Sequence, residues 1–230
     1  MKRITALILC IVMALCVTNA AAFSAKRDFA TETALAERLK GLGIFKGVSE
    51  TDFALDRAPT RTEALVMLVR VLGKERDALS KGGKHPFLDV PAWADKYVGY
   101  AYENKLTNGF SATKFGGDNI ASIEMYLTFV LRAMGYSDAN GIDFTYSNPF
   151  DCAKNAGLLA GAPDRESFLR ADVVLISYAA LGNPSKGATK LLGNKLVELG
   201  VYTEKAFEKY YEYSALFGTG LSVSDELVIE

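Results

Sequence analysis

Three stretches of the chain are apolar on nearly every face of the helix they would form. Residues 64–72 are broken only at Arg70, residues 126–134 at Thr128 and Arg132, and residues 173–181 at Ser177 and Tyr178. Each run stops against a glycine, Gly73, Gly135 or Gly182, which suits a left-handed residue just past a helix end. A helix that is apolar all round has no face to offer water and must be buried. Three of them can bury one another only as a central bundle. Shorter segments before them, at about 30–42, 92–104 and 149–156, would cover that bundle. Period-two alternation flanked by hairpin turns is absent, so the pattern predicts an all-α protein.

The runs belong to a repeat. Gly47-Val48-Ser49 and Gly109-Phe110-Ser111 are each followed fourteen residues after the glycine by Arg61 and Ile123, and twelve residues later by Gly73 and Gly135. Phe53 and Phe115 fall in register, six residues after their glycines. A third copy keeps the twelve-residue interval from Arg170 to Gly182, but its loop after Gly161 is five residues shorter. Self-similarity at this period marks a stack of like units. The copies span about 27–79, 86–137 and 141–182, each reading as helix, loop, helix. Thr60-Arg61-Thr62-Glu63 is a complete capping box for the first central helix. The second copy keeps Ser122 with Met125 where the acid would stand, and the third has Leu169 and Asp172.

The two ends read differently. Lys2 and Arg3 precede an apolar run over residues 4–17, and Ala20-Ala21-Ala22 follows, the layout of a secretory signal over residues 1–22. The run is shorter than the roughly 20 residues needed to cross a bilayer, so no membrane span is expected after cleavage. Leu15 ahead of Cys16 does not fit a lipobox. With Cys10 and Cys16 removed, Cys152 is alone and no disulfide framework exists. Residues 183–230 read as a linker followed by a helical hairpin: a helix over 188–199, a second one capped by Thr203 and running to about 216, then a tail. Tyr202, Tyr210, Tyr211 and Tyr213 would serve as its docking surface or as a glycan platform, the former being favoured.

Charge narrows the function. A formal net charge of −1 and a pI near 6.0 suggest no polyanion-binding surface, which argues against nucleic acid as a partner. His85 is the single histidine, too few for a two-histidine metal site. No nucleophile elbow is present. Gly41-Leu42-Gly43 ends a helix where a phosphate loop would open one. Asp138-Ala139-Asn140-Gly141 lacks the closing ligands of a calcium loop. Neither an enzyme nor a cofactor is expected.

Phe87-Leu88-Asp89-Val90-Pro91-Ala92-Trp93-Ala94 resembles the F-x-D-V-P-x-x-W-A opening of S-layer homology repeats with one residue fewer, and Thr60-Arg61-Thr62-Glu63 resembles their T-R-A-E element. The resemblance covers about residues 30–181. It implies a pseudo-threefold helical prism around a central three-helix bundle, with grooves between neighbouring repeats. It also implies a secreted protein of the bacterial cell wall or surface that attaches non-covalently to a secondary cell-wall polysaccharide, often through a pyruvylated terminal sugar. The implied glycan-binding residues are the Arg of T-R-A-E with the Asp and Trp of a first helix, which here are Arg61, Asp89 and Trp93. Arg170 repeats the Arg in copy three, whereas copy two has Ile123. Thr31 and Thr145 stand where a Trp would be in copies one and three. The principal groove is therefore expected between copies one and two.

The chemistry is sensible on its own terms. A carboxylate suits a guanidinium fork, a sugar's C–H face suits an indole, and an Asp accepts from hydroxyls or orients the Arg. Each residue also has a structural reading. Arg61 would be tied to a nearby acid at its helix start, Asp89 would brace a loop, and Trp93 would cover the core. A degenerate scaffold that binds another envelope protein, without glycan affinity, is the second functional reading.

Overall fold

The computed structural model describes residues 27–159 and 164–212. Its elements are α1 (Ala30–Gly41), α2 (Arg61–Val71), α3 (Glu75–Lys81), α4 (Asp95–Glu103), α5 (Ile123–Ala133), a 3-10 turn (Ala139–Gly141), α6 (Phe150–Asn155), α7 (Arg170–Leu181), α8 (Leu192–Glu198) and α9 (Glu204–Tyr210). The protein is all-helical. Among the described residues, extended pairing is confined to three isolated bridges. The expected signal segment, Gly161, Tyr213 and the tail lie outside the described residues.

The three apolar runs become α2, α5 and α7, and each of these helices touches the other two. Leu68, Val130 and Ile176 are buried among them. The outer helices are displaced by one copy: α4 packs on α2, α6 on α5 and α1 on α7. Each copy's outer helix thus covers the central helix of the copy before it, with copy three standing before copy one. The loops obey the same cycle. At the start of α2, Arg61 and Thr62 donate their backbone N–H to Asn119 and Gly117 of the second loop, at 2.8 and 3.1 Å. At the start of α7, Arg170 and Ala171 donate to Arg57 and Leu55 of the first loop, at 3.0 and 3.1 Å. Both loops thereby satisfy N–H groups that a helix start leaves without intrahelical partners.

The caps follow the sequence in most places. Thr60 Oγ1 accepts from the Glu63 N–H at 3.2 Å and the Glu63 carboxylate accepts from the Thr60 N–H at 2.8 Å. Ser122 Oγ accepts from Met125, and the Asp172 carboxylate accepts from the Leu169 N–H. Gly73 and Gly135 are left-handed, at φ 66° and 90°. Gly182 is not, at φ −88°. The end of α7 is secured instead by Asn183, whose side-chain amide donates to the carbonyls of Ala179 and Gly157.

The C-terminal hairpin is shorter than the sequence suggests. Ala188 closes a turn onto Ser185, and Leu191 is extended and bridged to Pro184, so α8 starts at Leu192 rather than 188. The expected helix to about 216 stops at Tyr210, because Tyr211 turns extended and its ring stacks between Tyr178 and Phe207, 4.9 Å from each. Of the hairpin tyrosines, Tyr202, Tyr210 and Tyr211 are described, and each packs within the hairpin or against the bundle. Tyr202 is buried and donates to the Gly193 carbonyl, while the Tyr178 hydroxyl accepts from the Glu212 N–H. Tyr210 lies so close to Gly41 of α1 that a Cβ there would stand 2.4 Å from its ring.

Candidate ligand grooves at the repeat junctions

Equivalent positions open the three central helices: Arg61, Ile123 and Arg170. The two arginines enter the same kind of place, under the loop of the next copy and against the next central helix. Arg61 is 6% exposed, with its guanidinium 5.1 Å from the Phe115 ring and 5.3 Å from the Phe129 ring. Its side chain reaches Thr107 Oγ1 by a long bond from Nη2 at 3.4 Å, and the Tyr146 hydroxyl also lies in hydrogen-bonding reach of it. Nε is buried without a partner among them. Burial pushes the guanidinium pKa down; Tyr146 and Asp89 oppose this, and the positive charge of Arg132 adds to it.

Arg170 is 4% exposed but better held. Nε donates to the Phe53 carbonyl at 2.7 Å, with longer contacts to the Lys46 carbonyl at 3.5 Å and Met67 Sδ at 3.4 Å. Burial lowers its pKa as well, with Arg57 and Arg70 adding to the effect against Glu63 and Asp52. Neither arginine forms an ion pair with a carboxylate among the described residues. In the third junction the position is filled by buried Ile123, and Arg165 nearby is paired with Glu124.

The expected set divides between two junctions. Trp93 is 58% exposed and lines a cavity of about 150 Å³ with Arg170, Lys46, Val48 and Glu63. The reason is the cyclic packing: α4 lies on α2, so the residues leading into α4 meet the first loop, under which Arg170 is inserted. Asp89 stays with the second loop. Its carboxylate accepts from the N–H groups of Phe115 and Gly116 at 2.7 and 2.9 Å. Slight desolvation raises its pKa, but those bonds and Lys114 outweigh it and hold the group below the usual range. Asp89 therefore braces the loop that covers Arg61 and adds a favourable charge toward it.

The aromatic beside Arg61 is Tyr146, half-exposed and acting on the guanidinium through its hydroxyl. The sequence carried a displaced signal for it. Trp93 stands twelve residues before Lys105, at the end of its outer helix, and Tyr146 stands eleven before Gly157. Equal spacing selects Thr145 and misses its neighbour. His85 sits in a loop, accepting from the Phe87 N–H and contacting Asp95. No cluster of three metal-ligating side chains occurs among the described residues, and none of their helices is long and apolar enough to cross a membrane.

No family model matches the chain. It is similar to a cell surface protein of Thermoanaerobacter kivui, with 32% identity over 142 residues, 60% of this chain and 18% of that protein. A surface layer protein of Brevibacillus choshinensis is 30% identical over 113 residues, 48% of this chain and 10% of its own length. A middle cell wall protein of Brevibacillus brevis is 28% identical over 126 residues, covering 54% and 12%. The chain thus spans less than a fifth of each of these relatives.

Proposed function

We propose that the protein is exported and attaches non-covalently to a cell-wall polysaccharide at the bacterial surface, through grooves between its S-layer-homology-like repeats. The cyclic order of outer helices and loops is read as the closed threefold prism that this resemblance implies. The observation that carries the proposal is Arg61. A desolvated guanidinium with no carboxylate partner among the described residues carries a charge that a ligand anion would compensate. An acidic sugar, such as a pyruvylated one, supplies the carboxylate. Tyr146 and Trp93 supply ring faces for sugar C–H groups, each beside one arginine. The role is one of binding rather than catalysis. The relatives' names, cell surface, surface layer and cell wall protein, agree with the location. The test is sedimentation of the purified protein with wall sacculi before and after removal of their secondary polysaccharide. Binding to intact sacculi that vanishes with the polysaccharide is the expected result. Equal binding to stripped sacculi, or none to either, overturns the proposal.

A further inference from the structure

Away from the arginine grooves, the hairpin creates a second concave surface. A cavity of about 700 Å³ lies where the ends of α1 and α2 meet α3 and the α8–α9 turn. A smaller one, of about 250 Å³, continues between α2, α4, α5 and α8. Lys74 and Leu199 line both, so the two form one trough. Lys46 and Arg70 bond to Glu75 between the trough and the Trp93–Arg170 cavity, and Arg70 borders both.

The trough is basic although the chain as a whole is slightly acidic. Arg70, Lys74 and Arg132 line it, answered by Glu75, Asp77 and Asp138 at 2.8, 3.3 and 2.6 Å. Two further cations on its walls, Arg76 and Lys195, are exposed and their side chains have no hydrogen-bond or ion-pair partner among the described residues. The excess charge is therefore positive and unspent. The apolar lining is aliphatic: Leu199 is 56% exposed and Leu79 42%. Tyr100, at one end, is the sole aromatic ring on either wall among the described residues. Sugars are gripped by ring faces, which the junction grooves have and this trough largely lacks. Protruding leucines beside free cations suit leucine and carboxylate side chains on one strand of polypeptide, and burying aliphatic surface would add to the charge attraction.

We propose that this trough binds an acidic, leucine-bearing peptide segment of another envelope protein. Arg76, Lys195 and Leu199 lie outside the arginine grooves, so the site can be altered apart from wall attachment. The experiment is fluorescence anisotropy with a labelled synthetic peptide of alternating Glu-Glu-Leu units, using the whole mature protein. The parent should bind it, and Arg76→Glu/Lys195→Glu should weaken binding by about tenfold or more. Leu199→Ser should weaken it with the charges intact. Both variants alter exposed side chains, so their melting curves and sacculus binding should match the parent's. A parent that fails to bind the peptide, or a double variant that binds it as tightly, overturns the proposal. So does oligoglutamate or an anionic wall polysaccharide competing as well as the leucine-bearing peptide, since the surface would then read charge alone.

Discussion

Replacing Arg170 and Arg61 by alanine, one at a time, should separate a structural arginine from a binding one. The Arg170 guanidinium holds the Phe53 carbonyl at 2.7 Å, and Phe53 is buried, so Arg170→Ala leaves that carbonyl without its donor. Hydrogen bonds to charged groups contribute roughly 1.5–3 kcal/mol, and the two longer contacts add little. A loss of about 2–3 kcal/mol corresponds to a melting temperature lower by roughly 4–12 °C in a chain of this size. Arg61 has the 3.4 Å contact to Thr107, the hydroxyl of half-exposed Tyr146 and the two ring faces. Its cation–π attraction, roughly 0.5–2 kcal/mol, is set against the cost of keeping a desolvated charge. Arg61→Ala should therefore change stability by less than about 1 kcal/mol. Binding should divide the other way. Arg61→Ala loses on the order of 2 kcal/mol of attachment, about thirtyfold, and Arg61→Lys recovers only part because an ammonium cannot form the planar fork. Folded Arg170→Ala should lose much less. Thermal melts by circular dichroism and sacculus titrations on the same preparations decide the matter. Arg61→Ala protein that melts below Arg170→Ala, or that binds walls like the parent, refutes the division of labour.

Three further outcomes are expected. Glu75 is raised by burial but receives bonds from Lys46, Arg70 and Tyr97 that hold its carboxyl down at about 2. Its stabilising contribution is complete above its ordinary value of 4.5 and disappears as pH falls to about 2. Glu75→Gln should therefore melt lower than the parent at pH 7 and approach it in strong acid; parallel curves at every pH would contradict this. Leu68→Ala should cost about 2–5 kcal/mol in denaturant unfolding as a core truncation, and a loss below about 0.5 kcal/mol would be inconsistent with its burial. Gly41→Ala ought to stabilise an isolated helix by about 1 kcal/mol, yet here it should destabilise, because the new Cβ meets the Tyr210 ring. Trimming that ring in Gly41→Ala/Tyr210→Ala should recover part of the loss, and a stabilised single variant would show that the hairpin does not press on α1.

The central helices were legible because their boundaries recur at fixed intervals: the twelve residues from Arg61 to Gly73 are those from Ile123 to Gly135 and from Arg170 to Gly182. The capping residues were legible for the same reason. What no interval encodes is which copies adjoin. Asp89 and Trp93 are four residues apart and were read as one site, but the chain between them passes from the second loop toward the first, so they serve different arginines. Tyr146 was hidden by a one-residue displacement. The seven-residue α3 was missed because it buries only Ala78, too little to show a helical period. Gly182 was read from its place alone, while the neighbouring Asn183 amide does the work of ending α7.

Ile123 shows why the arginines ask for a functional explanation. It occupies the same first helical position, in the same kind of junction, and is fully accommodated there as a buried hydrocarbon. The fold therefore does not need a cation at that place, and it treats one poorly. A helix start is the positive end of the helix dipole, which disfavours a cation by roughly 0.3–1 kcal/mol, and burial adds to the penalty. Arg170 offsets this by tying down the first loop. Arg61 makes no comparable bond to a loop carbonyl among the described residues. Arg61→Ile, which gives copy one the side chain that copy two already carries, should therefore match or exceed the parent's melting temperature while wall attachment falls by the same factor of about thirty. Were Arg61→Ile instead to melt well below the parent, the guanidinium would be holding the second loop in place. Its lost wall binding would then report a damaged junction instead of a missing ligand contact.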